Sequence, residues 1–140
     1  MAELFELRGS RVLVLEDSYY LAWDVARALK AAGAEVIGPC PTEEAAFGAI
    51  ARDPPSCGIL DINLGAGPSF EMARELSRRD IPFLFVTGHG NAVIPREFAD
   101  VPHVQKPVDP HRVVEALSGM LAGRRGSSAE RAIPSDADSA

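Results

Sequence analysis

Cysteine and positive charge are both scarce in this chain of 140 residues. Its two cysteines, Cys40 and Cys57, lack the close spacing of metal ligands, so we interpret them as reduced packing residues and keep a disulfide between them as the alternative. The 14 Lys and Arg against 20 Asp and Glu give a net charge of −6, which argues against nucleic-acid binding. The sequence also lacks an apolar run long enough to span a membrane and lacks the apolar core of a signal peptide. A cytoplasmic location without membrane contact is therefore expected.

Apolar residues make up 46% of the chain, which is enough to fill one core. Regular apolar patterns begin near residue 11 and fade after residue 123, where small and polar residues follow one another without a pattern. We therefore predict a lead-in at residues 1–10, one folded domain at residues 11–123, and a disordered or loosely held tail at residues 124–140.

Five short apolar segments, bounded by glycine, proline or charged residues, predict buried β-strands. In the third, CGILDINL, four small or apolar residues precede a single carboxylate, Asp61. The fifth contains Pro102 near its start, which favours the edge of a sheet because proline has no N–H to donate. The five segments are Val12–Leu15, Glu35–Gly38, Cys57–Leu64, Pro82–Thr87 and Val101–Gln105.

Segments with apolar residues at helical spacing lie between these strands. The first follows Ser18, and the second follows Thr42, a candidate N-cap. Pro68 suits the first turn of a third helix, and Pro110 opens the last one. The segment 88–100 contains glycines and a proline, so it predicts only a short or irregular helix. The first helix also carries three aromatic residues that we interpret as packing or partner-contact residues: Tyr19, Tyr20 and Trp23.

Strands that alternate with amphipathic helices predict an α/β fold with a doubly wound parallel sheet, covered by helices on both faces. In such sheets, ligands bind beyond the carboxyl ends of the strands. The residues that end or follow four of the predicted strands are polar: Glu16, Asp17, Asp61, Thr87 and Lys106. We expect these side chains to share one site.

Three carboxylates in one site repel one another, since two unit charges about 4 Å apart cost about 4 kcal/mol at an effective dielectric constant of about 20. A divalent cation removes that cost, and a site made of oxygen ligands suits Mg²⁺. Asp61 has the most buried setting and is the candidate nucleophile for a phosphoryl group. Lys106 and Thr87 would stabilise the charge that develops on the phosphoryl oxygens, and Gly88 leaves room for the group to approach.

With these residues in this order, the chain resembles the receiver domain of two-component response regulators over about residues 10–121. The resemblance implies a flavodoxin-like (CheY-like) sheet of five parallel strands in the order 2-1-3-4-5. It implies that Asp61 accepts a phosphoryl group from a histidine kinase or a histidine phosphotransfer protein. It also implies a cis peptide bond between Lys106 and Pro107. The implied Mg²⁺ ligands are Glu16 (through water), Asp17, Asp61 and Asn63 (through its main-chain carbonyl), and the implied phosphate-contacting and switch residues are Thr87, Gly88 and Lys106.

The segment Phe83–Gly90, FLFVTGHG, resembles more narrowly the FATGUY group of receivers, which are often stand-alone domains. It departs from that group's pattern at Val86 and His89. Three residues before the site lysine, where many receivers carry an aromatic switch residue, this chain has His103, a possible switch position. The loop after the phosphoacceptor has Gly65 where receivers usually have proline. The resemblance therefore implies phosphorylation but leaves the usual aromatic switch in question.

The resemblance implies a single-domain response regulator that signals through contact with a downstream protein partner, or that acts as a phosphate shuttle or sink. Such a domain catalyses only its own phosphorylation and dephosphorylation, so it is not expected to be an enzyme. The alternative is a pseudo-receiver that binds partners regardless of phosphorylation. A phosphatase with an aspartate nucleophile is disfavoured, because Asn63 stands where that chemistry requires a second acid.

Overall fold

A computed structural model gives the structure of residues 7–64, 67–68, 70–88 and 94–131. Strands of one main sheet alternate with helices along these residues. The strands are β1 (Arg11–Leu15), β2 (Glu35–Cys40), β3 (Cys57–Asp61), β4 (Phe83–Thr87) and β5 (His103–Gln105). The helices are α1 (Tyr19–Ala31), α2 (Glu43–Arg52), α3 (Glu71–Arg78), a 3-10 helix (Arg96–Phe98) and α4 (Pro110–Arg131).

The five strands form one parallel sheet in the order β2-β1-β3-β4-β5. This order is that of the flavodoxin-like fold, so the predicted fold class is confirmed. The chain runs from β1 outward to β2, crosses back to β3, and then continues to the opposite edge. The carboxyl ends of β1 and β3 therefore flank the point where the strand order reverses, which is where such sheets bind ligands.

Helices cover both faces of the sheet, because successive side chains of each strand point to opposite sides. Both central strands, β3 and β4, are buried along their whole length, as expected of parallel strands between two helical layers. On one face, α1 and α4 contribute to a cluster that includes Val12, Val14, Val25, Leu29, Val113 and Leu117. On the other face, α2, α3 and the 3-10 helix contribute to a cluster that includes Leu13, Leu15, Ile50, Leu60, Leu76 and Phe98. The two layers hold the strand ends in fixed positions.

A group of phenylalanine rings attaches the 3-10 helix to the sheet. The Phe98 ring centroid lies 6.0 Å from that of Phe70 and 5.7 Å from that of Phe85. Arg74 of α3 places its guanidinium carbon 5.9 Å from the Phe98 centroid, and its Nε lies 3.0 Å from Glu97 Oε2. A half-exposed ion pair contributes little, whereas buried aromatic pairs contribute about 0.5–1.5 kcal/mol beyond their area. The rings are therefore the stronger attachment.

Two of the predicted boundaries that differ from the structure involve a proline. β2 continues through Pro39 to Cys40, past its predicted end at Gly38. It can do so because β2 lies at the sheet edge, where a strand tolerates a residue without an N–H. Pro68 does not begin a helix: Gly67–Pro68 pairs antiparallel with Asn63–Leu64, and α3 begins at Glu71. The loop after Asp61 is thus a short hairpin.

The other elements lie close to their predicted positions. β5 is at the sheet edge, as predicted, but it begins at His103 instead of Val101. The Thr42 hydroxyl accepts a hydrogen bond from the Ala45 N–H at 3.1 Å, which confirms the predicted N-cap. The peptide bond between Lys106 and Pro107 is cis, as the resemblance implied.

The last helix extends past the predicted end of the domain. α4 reaches Arg131, so the backbone of residues 124–131 is helical where a loose tail was predicted. The division into lead-in, domain and tail stays a prediction, because residues 1–6 and 132–140 lie outside the described residues. Among the helices that are described, none has the length and apolar character needed to cross a membrane.

Replacing two glycines, Gly38 and Gly48, by alanine should change the stability in opposite directions. Gly38 has a φ of +105°, and a Cβ there would lie 2.6 Å from the main-chain nitrogen of Cys40. Gly48 lies in α2, and a Cβ there would meet no heavy atom within 4 Å. We expect Gly38→Ala to lower the free energy of unfolding by about 1–3 kcal/mol. Gly48→Ala should raise it by about 0.5–1 kcal/mol, because glycine is a poor helix former.

Urea denaturation of the wild type and the two variants measures both changes in the same assay. Opposite signs are the expected result. Destabilisation by Gly48→Ala of the same size as that by Gly38→Ala would contradict the backbone described for β2.

Candidate functional site

Three acids meet at the carboxyl ends of two neighbouring strands. Glu16 and Asp17 follow β1 directly, and Asp61 is the last residue of β3. Since β1 and β3 pair in parallel, with Leu15 opposite Leu60, the acids reach the same edge of the sheet. One carboxylate oxygen from each acid lies within 4.8 Å of the other two. Asp61 is 1% exposed and Glu16 is 5% exposed, whereas Asp17 faces solvent.

The Lys106 ammonium lies between the two buried acids. Its Nζ is 3.2 Å from Glu16 Oε2 and 3.4 Å from Asp61 Oδ2. Lys106 follows β5, which is separated from β3 by β4, so its long side chain crosses the end of one strand to reach Asp61. A buried carboxylate without a cation is costly. One ammonium shared by two carboxylates offsets only part of that cost.

Two main-chain N–H groups also hold the acids in place. The Ser18 N–H donates to Glu16 Oε2 at 2.9 Å, and the Asn63 N–H donates to Asp61 Oδ1 at 2.9 Å. In each case the donor is two residues after the acid, which is the spacing at which short side chains bond to their own backbone in turns. We did not predict these bonds from the sequence, although the spacing Asp61-x-Asn63 is a signal that could have identified one of them.

Thr87 and Gly88 complete the rim of the site. Thr87 is 8% exposed and ends β4; its carbonyl oxygen accepts a hydrogen bond from the Lys106 N–H at 2.7 Å. A Cβ at Gly88 would lie 2.9 Å from Asn63 Nδ2, so only glycine lets the Asn63 amide rest where it does. The structure therefore brings these residues to the same edge of the sheet as the acids.

Burial and mutual repulsion alter the protonation of the site. The pKa of Glu16 is raised to about 7: burial is the main cause and the neighbouring Asp61 carboxylate adds to it, while the Ser18 N–H and the Lys106 ammonium act in the opposite direction. For Lys106, burial alone would lower the pKa, but the carboxylates of Glu16 and Asp61 outweigh burial and raise the pKa above its ordinary value. The ammonium is therefore retained at neutral pH, while Glu16 is close to its titration midpoint.

The donor atoms fit a hard divalent cation. Three carboxylates within 4.8 Å of one another, two of them buried, offer only oxygen ligands. Oxygen donors suit Mg²⁺, Mn²⁺ or Ca²⁺ better than metals that prefer sulfur or imidazole. Glu16 and Asp61 share one ammonium, that of Lys106, so a bound cation would balance the negative charge that remains.

Among the residues that the structure describes, no histidine or cysteine joins this group. His103 is exposed on β5, opposite Phe85 of β4, and His89 lies outside the described residues. Cys40 and Cys57 are free and buried on opposite faces of the sheet, in agreement with a packing role. Burial raises the pKa of both thiols, that of Cys57 to about 11.

Comparison with solved structures identifies the family. The solution structure of SdrG from Sphingomonas melonis Fr1 is similar to this chain with 31% identity and a TM-score of 0.70, over 80% of this chain and 96% of SdrG. The chain belongs to the receiver domains of response regulators. A structure of SdrG in its BeF3-activated conformation, with the source given as Pseudomonas melonis Fr1, matches this receiver domain with 31% identity and a TM-score of 0.67 over 79% of this chain and 95% of the other.

More distant receiver-containing structures share the fold. The response regulator PhyR from Brucella abortus is 23% identical, with a TM-score of 0.76 over 93% of this chain. The match covers 55% of the PhyR chain, so the receiver domain described here corresponds to about half of that protein. No family model matches the sequence, and no curated protein matches it.

The raised pKa of Glu16 predicts a pH dependence of stability in metal-free solution. A folded-state pKa of about 7, above the ordinary 4.5, means that the folded receiver binds this proton more tightly than the unfolded chain. The stabilisation of the folded state by this proton is fully present below the pKa that Glu16 has in the unfolded chain. It is lost as the pH rises through the pKa that Glu16 has in the folded state. We expect the free energy of unfolding, relative to Glu16→Gln, to fall by about 1–3 kcal/mol between pH 5 and pH 7.5.

Urea denaturation with a chelator present measures this difference at each pH. Glu44→Gln, a change at an exposed position on α2, is the control and should track the wild type. Parallel pH profiles for the wild type and Glu16→Gln would contradict the burial of Glu16 beside Asp61.

Proposed function

We propose that this receiver domain accepts a phosphoryl group on Asp61 from a histidine kinase or a histidine phosphotransfer protein, with Mg²⁺ bound. The observation that carries the proposal is the position of Asp61 between a main-chain donor and a cation. Its Oδ1 accepts from the Asn63 N–H and its Oδ2 lies 3.4 Å from the Lys106 ammonium. This buried carboxylate has a fixed orientation, which a nucleophile requires.

The chemistry is a transfer between two nucleophiles. A carboxylate oxygen of Asp61 forms a bond to phosphorus as the bond from phosphorus to the imidazole nitrogen of the donor breaks, and the leaving imidazole takes up a proton. The Lys106 ammonium and the Thr87 hydroxyl are the groups of this chain that would stabilise charge on the equatorial oxygens. Glu16, Asp17, Asp61 and the Asn63 carbonyl would hold Mg²⁺, which supplies positive charge to the same oxygens.

The narrower assignment is to the FATGUY group. Its support is the sequence of the segment Phe83–Gly90, FLFVTGHG. On this proposal the domain works by contact with a downstream protein partner or as a phosphate shuttle or sink. It turns over only its own phosphoryl group, and Asn63 in place of a second acid supports that limit.

The proposed phosphorylation depends on Asp61. We expect Mg²⁺-dependent incorporation of phosphate from acetyl phosphate into the wild type, and loss of at least about 100-fold in Asp61→Asn, because the amide is not a nucleophile. Lys106→Gln should be phosphorylated about 10- to 100-fold more slowly, since it lacks the ammonium. Phos-tag electrophoresis and intact mass spectrometry measure both.

Asp53→Asn, at an exposed acid away from the site, is the matched control and should behave as the wild type. An amide spectrum that does not change on adding beryllofluoride and Mg²⁺, together with no phosphate incorporation, would favour the pseudo-receiver. Incorporation that persists in Asp61→Asn would place the phosphoacceptor elsewhere.

To signal through protein contacts, phosphorylation must change a surface that partner proteins bind. The segment 94–101 follows β4 with Thr87 at its end, and it contacts the core through Phe98 and α3 through the pair of Glu97 with Arg74. We expect beryllofluoride with Mg²⁺ to change hydrogen exchange most in this segment. Glu97→Gln should raise its basal exchange about two- to fivefold by removing the ion pair.

Hydrogen exchange followed by mass spectrometry measures the effect, with Glu44→Gln as the control at an exposed position of α2. Protection changes confined to α1 and α2 would contradict this assignment of the responsive surface.

A further inference from the structure

The amino terminus of α3 is held by a side chain from another helix. The Met72 N–H, in the first turn of α3, donates a hydrogen bond to Glu43 Oε2 at 3.0 Å. Glu43 is the first residue of α2 and lies 29 residues earlier in the chain. The first N–H groups of a helix have no partner within the helix, and Phe70, just before α3, caps none of them with a side chain. Glu43 therefore takes the part of a capping residue for α3.

The surroundings of this hydrogen bond favour it. Its acceptor is a carboxylate, and hydrogen bonds to charged groups are stronger than those between neutral groups. Glu43 is half-buried and Met72 is buried, so loss of the carboxylate would deprive a partly buried N–H of this acceptor. The same negative charge lies at the first turn of α2 and beside the first turn of α3, where both helix dipoles stabilise it.

A short path of backbone connects the start of α3 to the functional site. The hairpin after Asp61 pairs Asn63 with Pro68, and Pro68 comes three residues before the first residue of α3. Asn63 in turn donates its N–H to Asp61 Oδ1. A displacement of the first turn of α3 would therefore move Pro68, and through the pair it would move Asn63.

The segment that leads into α2 is attached to the other side of the site. The carbonyl oxygen of Cys40, the last residue of β2, accepts a hydrogen bond from the Glu16 N–H at 3.0 Å. Glu43 follows three residues later, after the N-cap Thr42. The amino terminus of α2 is thus anchored beside Glu16 and reaches across to α3 through Glu43.

We propose that Glu43 is a positioning residue of the phosphoryl-acceptor site, which fixes the first turn of α3 and thereby the Asn63 carbonyl. The inference rests on the proposed binding of Mg²⁺ by that carbonyl. Glu43 is not one of the three acids whose carboxylate oxygens lie together at the site. Its effect passes through the hydrogen bond to Met72 and not through contact with the metal.

Variants at Glu43 should separate the hydrogen bond from the charge. Groups that bond directly to a metal ligand typically change metal affinity by about 10- to 100-fold, and Glu43 acts through more bonds, so Glu43→Ala should raise the Mg²⁺ dissociation constant by about three- to tenfold. Glu43→Gln keeps an acceptor oxygen at the same reach and should stay within about twofold of the wild type. Glu43→Asp is one methylene shorter and should behave like Glu43→Ala. Titration of the amide spectra with MgCl₂, without a phosphodonor, measures the constant.

The metal-free protein provides a second readout. The Met72 amide hydrogen should exchange roughly tenfold faster in Glu43→Ala than in the wild type, because the N–H loses its acceptor. In Glu43→Gln its exchange should stay close to that of the wild type. Hydrogen exchange followed by NMR, with a chelator present, measures both rates.

Two controls test charge and stability separately. Glu44→Gln removes a charge from the neighbouring, exposed position of α2 and should leave the Mg²⁺ affinity unchanged. Ser56→Ala acts far from the site: Ser56 Oγ accepts from the Arg11 N–H at 2.7 Å and donates to the Arg11 carbonyl at 3.2 Å, where β1 and β3 begin. It should lower the midpoint of urea denaturation without changing the Mg²⁺ dissociation constant.

Any of four results would overturn the proposal. They are no Mg²⁺ binding by the wild type, unchanged affinity in Glu43→Ala, an equal loss of affinity in Ser56→Ala, and an equal loss in Glu43→Gln, which would assign the effect to charge. Phosphate uptake on Asp61 together with unchanged affinity in Glu43→Ala would contradict this inference but not the proposed function. Mg²⁺ binding that depends on Glu43 in a protein that takes up no phosphate would support the positioning role and contradict the proposed phosphorylation.

Discussion

The site depends on the cost of keeping two carboxylates out of water within reach of one another. Glu16 and Asp61 end neighbouring strands and are almost fully buried, and their repulsion is balanced only in part by Lys106. Everything around them reduces that cost: an ammonium that crosses the end of β4, and main-chain N–H groups from Ser18 and Asn63. A bound divalent cation would balance the negative charge that remains.

The parallel sheet makes this arrangement possible with residues that are far apart in the chain. Lys106 is 90 residues from Glu16 and 45 from Asp61, yet all three reach one rim because every strand ends on the same side. The two helical layers bury β3 and β4 completely, so the ends of these strands have little freedom. The core therefore fixes the positions of the site residues.

Much of this could be predicted from the sequence, and the failures have physical causes. The strand-end residues Asp61, Thr87 and Lys106 were found because apolar runs that stop at polar residues are a local signal. The hairpin at Pro68 was missed because proline suits both a first helical turn and a short edge pair, and only the tertiary structure decides. The hydrogen bond that the Met72 N–H donates to Glu43 Oε2 spans 29 residues and has no local signal in the sequence. The three aromatic side chains of α1 are exposed to solvent, which likewise depends on which side of the helix the sheet covers.

Strand β2 forms one edge of the sheet, and its residues affect whether a strand of another copy can pair with that edge. An uncovered strand edge is a template on which other chains can polymerise. Here Gly38, with its positive φ, and Pro39, which has no N–H, interrupt the row of donors along β2. β5, at the opposite edge, is three residues long and therefore offers few main-chain groups for pairing. Extension of the sheet by edge-to-edge pairing between copies is thus disfavoured at both margins.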